Sequence, residues 1–251
     1  MKSIIKFCSI ISLIFLFSCS STEPVGETEA EVLYKDIQTN YKGKRYMLAL
    51  EKISSFRSKY PYSFYLAEIE LLRADIYFEQ ENYLEAVDAY LTFRDFHPNY
   101  KELDQIEWRI SESFFKQLPE TVDRDISPAI SAINSFQDLI RKYPESKNIE
   151  KAKERVQLLE QMLEEKELYI ADFYYRTNDF QSASYRYQNI LKTTRNDETV
   201  KKSSHHLIDS LFQLGKKEEC LNNLQVYGKF LEKNLMDSYF NKCTQLTEVN
   251  I

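Results

Sequence analysis

The stretch FLFSCSSTEP, residues 15–24, sets a thiol at a chemically suggestive place: Cys19 closes an apolar run and opens a polar one. Lys2 and Lys6 precede an apolar segment from Phe7 to Phe17, which has export-signal length and is too short to cross a bilayer as a helix. Leu16-Phe17-Ser18-Cys19 reads as a lipobox, where cleavage leaves Cys19 as a new N-terminus bearing acyl chains. The competing reading is a soluble secreted protein with an incidental cysteine. Lipid at Cys19 would attach the chain without a transmembrane helix, because two acyl chains hold a protein stably at a membrane where one binds only reversibly. Residues 1–18 are then a signal peptide. Residues 19–29, polar around Pro24 and Gly26, form a flexible tether.

The remaining reactive groups suggest no catalyst. His205 and His206 are adjacent, so on a helix they point about 100° apart and do not readily share one metal ion. Glu164, Glu165 and Glu167 stand among lysines, as on a solvated helix face. Glycine-rich phosphate loops, H-E-x-x-H and G-x-S-x-G are missing from the sequence. No enzyme, metal or cofactor is expected. Cys220 and Cys243 fall on neighbouring expected helices, where they either pair in an oxidising compartment or act as two small buried hydrophobes.

Those groups must be carried by helices. The chain has 4 glycines and 6 prolines in 251 residues, too few turn-formers for a many-stranded sheet protein. Its net charge of -6 argues against a nucleic-acid surface. FRSKYPYS, FRDFHPNY and LIRKYPES each set a proline just past an amphipathic segment, where a helix must stop.

A tetratricopeptide pattern fits these stops. Ala74, Tyr77, Ala86, Tyr90 and Pro98 occupy its small, aromatic and proline positions; Ala171, Tyr174, Ala183 and Tyr187 repeat them, with Arg195 in place of proline. Partial copies centre on Ala49, Ala132 and Cys220, giving five units. The fold expected is an all-α superhelical solenoid of tetratricopeptide helix-turn-helix repeats. Helices are expected over 29–41, 44–59, 63–79, 82–96, 100–117, 128–142, 147–175, 179–193, 197–214, 217–232 and 235–247. Units one to three then fill residues 30–146. Residues 147–251 hold a long linking helix, units four and five and a C-terminal capping helix. Ala86 and Ala132 are 46 residues apart and Ala132 and Ala183 are 51 apart, against 37 for the outer intervals. An ordered loop in QLPETVDRDISP accounts for the first excess and the long helix for the second.

The lipobox, the five units, the run FRSKYPYSFYLAEIELLRADIYF, the HPN after the second unit, the DRD before AISAINSFQDLIRKYPES, and the LYIADFYY ending the long helix together resemble the BamD family of outer-membrane protein assembly lipoproteins. The resemblance runs from about residue 30 to residue 232. It implies a periplasmic scaffold anchored in the outer membrane as part of the barrel-assembly (BAM) machinery. Such a scaffold binds the POTRA region of the barrel insertase and receives unfolded outer-membrane proteins. Tyr60, Pro61, Tyr62, Tyr65 and Tyr77 become candidates for a peptide groove. Arg186 lines up with a family arginine that pairs with the insertase. The alternatives are a repeat-bearing lipoprotein of cell-envelope synthesis or division, and a peptidoglycan-acting envelope enzyme.

Overall fold

A computed structural model describes residues 28–246; Cys19, the expected signal and the expected tether up to residue 27 lie outside them, while Thr28 and Glu29, the last two residues of that expected tether, cap and open the first helix. The described residues form eleven α-helices and one 3-10 turn, with no strand among them. In chain order the helices are α1 (Glu29–Lys42), α2 (Tyr46–Lys59), α3 (Leu66–Glu79), α4 (Tyr83–Phe96), α5 (Leu103–Lys116), α6 (Pro128–Lys142), α7 (Ile149–Arg176), α8 (Phe180–Thr193), α9 (Asp197–Gln213), α10 (Lys217–Tyr227) and α11 (Lys233–Gln245). The chain divides into two compact units, one ending at Ile76 and one beginning at Tyr77.

Proline sets three of the helix ends in the same way. α2, α4 and α6 stop two residues before Pro61, Pro98 and Pro144, and the residue between is Tyr60, His97 or Tyr143. These three share φ between -124° and -131° and ψ between 54° and 62°. A proline Cδ clashes with a helical residue before it, so each leaves the α region. α8 lacks the proline and ends instead with Thr194 extended at φ -68°, ψ 144°.

The small repeat positions lie where helices close on one another. Ala49, Ala86, Ala132, Ala183 and Cys220 have no exposed surface, and neither do Ala74, Ala171, Tyr90 and Tyr187. In the first unit, Ile37 of α1, Ala49, Ile53 and Phe56 of α2, and Ile69 and Ile76 of α3 form one core. In the second, each helix from α4 to α11 packs on the next. α7 serves two cores there. Its Ala152 and Leu159 join Ala132 and Phe136 of α6, while Ala171 joins Ala183, Tyr187 and Leu207. At 28 residues it is about 42 Å long, which explains the wide spacing between the third and fourth units.

The inserted loop is tied down by α7. Lys166 donates to the carbonyls of Val122 and Arg124, both at 2.7 Å, and Asp125 accepts the backbone N–H of Ser127 at 2.9 Å. Ile126 is buried beneath it and Pro128 opens α6. Glu107 of α5 is also buried, 3.5 Å from Arg94 of α4 and 4.0 Å from Lys142 of α6.

Two expectations need correction. The span 217–232 is no single helix: α10 ends at Tyr227 and a 3-10 turn covers Gly228–Phe230. A Cβ on Gly228 would come 3.3 Å from the Met236 side chain of α11, a tight contact that Met236 would have to relieve by a small shift. The reading of Cys220 and Cys243 as separate hydrophobes also falls. They form a disulfide between α10 and α11 with Cα atoms 6.1 Å apart, buried in the same core. Closing a loop of sequence separation 23 removes unfolded-state entropy worth about 3 kcal/mol in the chain-entropy treatment. Cys243→Ser is therefore expected to lower unfolding stability by about 3 kcal/mol. At the packing positions, Ala183→Leu should cost about 1–3 kcal/mol through overpacking. Urea denaturation with and without reductant reads both.

Candidate functional site

In the first unit the turn between α2 and α3 carries four aromatic side chains in six residues, Tyr60-Pro61-Tyr62-Ser63-Phe64-Tyr65. Backbone hydrogen bonds fix it: Ser63 N–H donates to Tyr60 O at 3.1 Å and Leu66 N–H to Ser63 O at 3.0 Å. Its first and last aromatics turn inward and the two between them turn outward. Tyr60 packs on Phe56 with centroids 5.3 Å apart, and its hydroxyl donates to Glu29 at 3.0 Å. Tyr65 stacks on Tyr34 of α1 at 4.5 Å. The Tyr34 hydroxyl donates to Glu68, and burial together with that bond pushes its pKa up to about 12. Between these inward rings, Tyr62 is 99% and Phe64 88% exposed.

The five groove candidates therefore separate. Tyr60 and Tyr65 are half-buried against the first core, Pro61 and Tyr62 face solvent, and Tyr77 belongs to the second unit. Phe64 was not singled out in the sequence. Its position two residues after Tyr62 in a turn was the available signal.

Arg186, the insertase candidate, lies on α8 and reaches Glu167 of α7 at 2.9 Å, both side chains well exposed. Its neighbour Tyr187 points the other way, into a polar cluster shared by α7, α8, α9 and α11. The Tyr187 hydroxyl donates to Asp172 at 2.6 Å and lies 2.8 Å from His206 Nδ1. That hydroxyl has one proton, so a neutral His206 with its proton on Nδ1 completes the chain by donating to Tyr187. Lys202 reaches the other Asp172 oxygen at 2.5 Å. His206 stacks flat on Tyr175 at 4.2 Å, and Tyr175 and Tyr239 both donate to Asp209, at 2.7 and 2.9 Å. His205 bonds Tyr239 at 3.0 Å. His205 and His206 thus each have a tyrosine partner, and no group of three metal-ligating side chains occurs among the described residues. Asp172 and Asp209 escaped the sequence reading. Asp209, three residues after His206, was a legible helical neighbour.

Electrostatics follow from this packing. Burial raises the pKa of Tyr187, Tyr175 and Tyr239, with Asp172 or Asp209 adding to the shift. Burial also lowers that of His206, reinforced by His205. Beside the cluster a groove of about 1160 Å³ opens between α7 and the α8–α9 turn, lined by Glu160, Glu164, Glu167, Ile190 and Lys202 among others.

Antiparallel helices with buried small residues and tyrosines at the repeat positions make this a tetratricopeptide-type helical-repeat fold. The chain belongs to the family described as "Outer membrane lipoprotein" (YfiO), which it matches over residues 26–225. It is similar to "Outer membrane protein assembly factor BamD" of Vibrio cholerae, with 26% identity over 82% of this chain and 90% of the relative. The protein of the same name from Neisseria meningitidis serogroup A is 24% identical, over 94% and 93%. Among solved structures, a tetratricopeptide repeat protein from Parabacteroides merdae aligns over 88% of this chain and 94% of its own, at 13% identity and a TM-score of 0.42.

The histidine sets the direction of a pH effect. The unfolded chain takes up a proton near the ordinary value of 6.5, while folded His206 does so only at lower pH. Stability should therefore fall as pH drops from about 7 to about 5, and His206→Gln should flatten that slope. Thermal melts across the range check it.

Proposed function

We propose that this protein is a non-catalytic scaffold for outer-membrane protein assembly, the role carried in its relatives' names. Lipid on Cys19 holds it at the outer membrane, facing the periplasm. Its C-terminal helices bind the POTRA region of a barrel insertase, with Arg186 in the contact. The N-terminal unit receives unfolded barrel proteins, where Tyr60, Pro61 and Tyr65 shape the wall for an aromatic chain end.

The observation that carries this reading is the family match over residues 26–225 on a chain whose small repeat positions are all buried. The carboxylates with displaced pKa, Asp36, Asp123, Asp125, Asp138 and Asp179, are all pulled down. A hydrogen bond leads each shift, with Lys52 holding Asp36 and Lys142 holding Asp138.

Affinity purification from detergent-solubilised membranes should recover the insertase. Arg186→Glu should reduce that recovery at least tenfold, the scale of a lost charge-assisted contact of about 1.4 kcal/mol. The exposed pair with Glu167 contributes little to folding, so Glu167→Ala should leave both recovery and melting nearly unchanged. Cys19→Ser should move the protein from the membrane to the soluble fraction. Recovery of division proteins in place of the insertase would sink the proposal.

A further inference from the structure

We infer that the turn bearing Tyr62 and Phe64 docks on the membrane surface, as a second contact beside the acyl-anchored cysteine. The inference rests on the lipid reading of Cys19 given above and adds residues that reading does not use.

Three observations lead to it. First, Tyr62 and Phe64 are among the most exposed large apolar side chains of the protein, at 99% and 88%, and they stand two residues apart on one turn. Large bare aromatics in water leave a favourable burial unrealised, and tyrosine in particular concentrates at membrane–water interfaces, where its ring is buried and its hydroxyl stays wet. Second, the turn is preorganised. The backbone bonds at Ser63 and Leu66, a bond from Tyr65 N–H to Ser63 Oγ at 3.3 Å, and the packing of Tyr60 and Tyr65 hold it in shape before any surface arrives. Little ordering is left to oppose association.

Third, chain length limits how far this turn can be from the bilayer. The tether enters α1 at Thr28, and Glu29 accepts the hydroxyl proton of Tyr60, so the tether and the turn meet at one end of the first unit. Thr28 is nine residue steps from Cys19, and a fully extended chain of that length reaches at most about 32 Å. A lipid-held Cys19 thus keeps the turn close to the headgroups at all times, at a high effective concentration that a weak contact can use. Exposed Lys59, in the last turn of α2, adds a cation suited to lipid phosphate. A lipid surface is favoured over a peptide here because proximity to it is built into the chain. The contact would set which face of the first unit looks into the periplasm.

The test uses the full-length lipidated protein in zwitterionic phosphatidylcholine vesicles containing lipids brominated on the acyl chain. Phe64→Trp is placed in a Trp108→Phe background, and Phe96→Trp, at a site 75% exposed in the second unit, serves as the control. The expected result is a blue-shifted emission quenched by bromine for the probe at 64, and neither change for the probe at 96. Tyr62→Ser in the position-64 probe protein should weaken the quenching while melting stays unchanged. An unquenched probe at 64 on protein that remains vesicle-bound would overturn the inference and leave the anchor reading standing. Probe protection by an added barrel-protein peptide without bromine quenching would overturn it in favour of a peptide site. Loss of acyl chains from wild-type protein, read by mass, would instead remove the anchor reading. The inference would fall with it, since the tether supplies the proximity.

Discussion

The structure depends on how closely two helices can approach where a unit folds back on itself. Alanine at 49, 132 and 183, and cysteine at 220, have no exposed surface and supply the room for that approach. Protein interiors are packed as densely as organic crystals, so an added methylene at such a point must move a helix. Within the second unit each closed pair then leaves an apolar face that its neighbour covers. Tyr90 and Tyr187, both fully buried, occupy equivalent places in their repeats. No pair could bury that face alone, so the repeats stabilise one another.

α7 shows how a repeat protein accommodates an irregular interval. Its first half completes one core through Ala152 and Leu159, and its second half completes another through Ala171. Lys166, between the halves, satisfies two carbonyls of the inserted loop and so closes backbone groups that would otherwise lack partners. The second half also carries Asp172, which anchors the Tyr187–His206 chain. Apolar packing tolerates small rotations of a helix, whereas a hydrogen-bond network with short distances does not. The cluster therefore fixes the rotation of α7, α8, α9 and α11 about one another, and the disulfide between α10 and α11 closes the same core.

The aromatic turn in the first unit belongs to a different economy. Pro61 forces Tyr60 out of the helix, and the six residues that follow α2 set two outward rings, Tyr62 and Phe64, between two inward ones, Tyr60 and Tyr65. Tyr60 and Tyr65 tie the turn to α1 and the core, so the exposure of Tyr62 and Phe64 is held by structure and is not a matter of a loose loop.

Much of this was legible in the chain. Proline after three amphipathic segments marked the ends of α2, α4 and α6, because the clash that bars the preceding residue from the helix is local. The small and aromatic repeat positions marked the core, because helical periodicity converts spacing directly into a face. The excess intervals located the pinned loop and the length of α7. Other features could not be read this way. That Cys220 and Cys243 pair depends on Cα atoms 6.1 Å apart, set by the turn at Gly228. That Tyr60 and Tyr65 are packed while Tyr62 and Phe64 are bare depends on the arrival of Tyr34 from α1 and Phe56 from α2. That Asp172 meets Tyr187 and His206 depends on three helices converging. The sequence determined what was governed by neighbours within a few residues along a helix. The tertiary structure decided what required groups distant in the chain to meet, since burial and pairing exist only once the helices have closed.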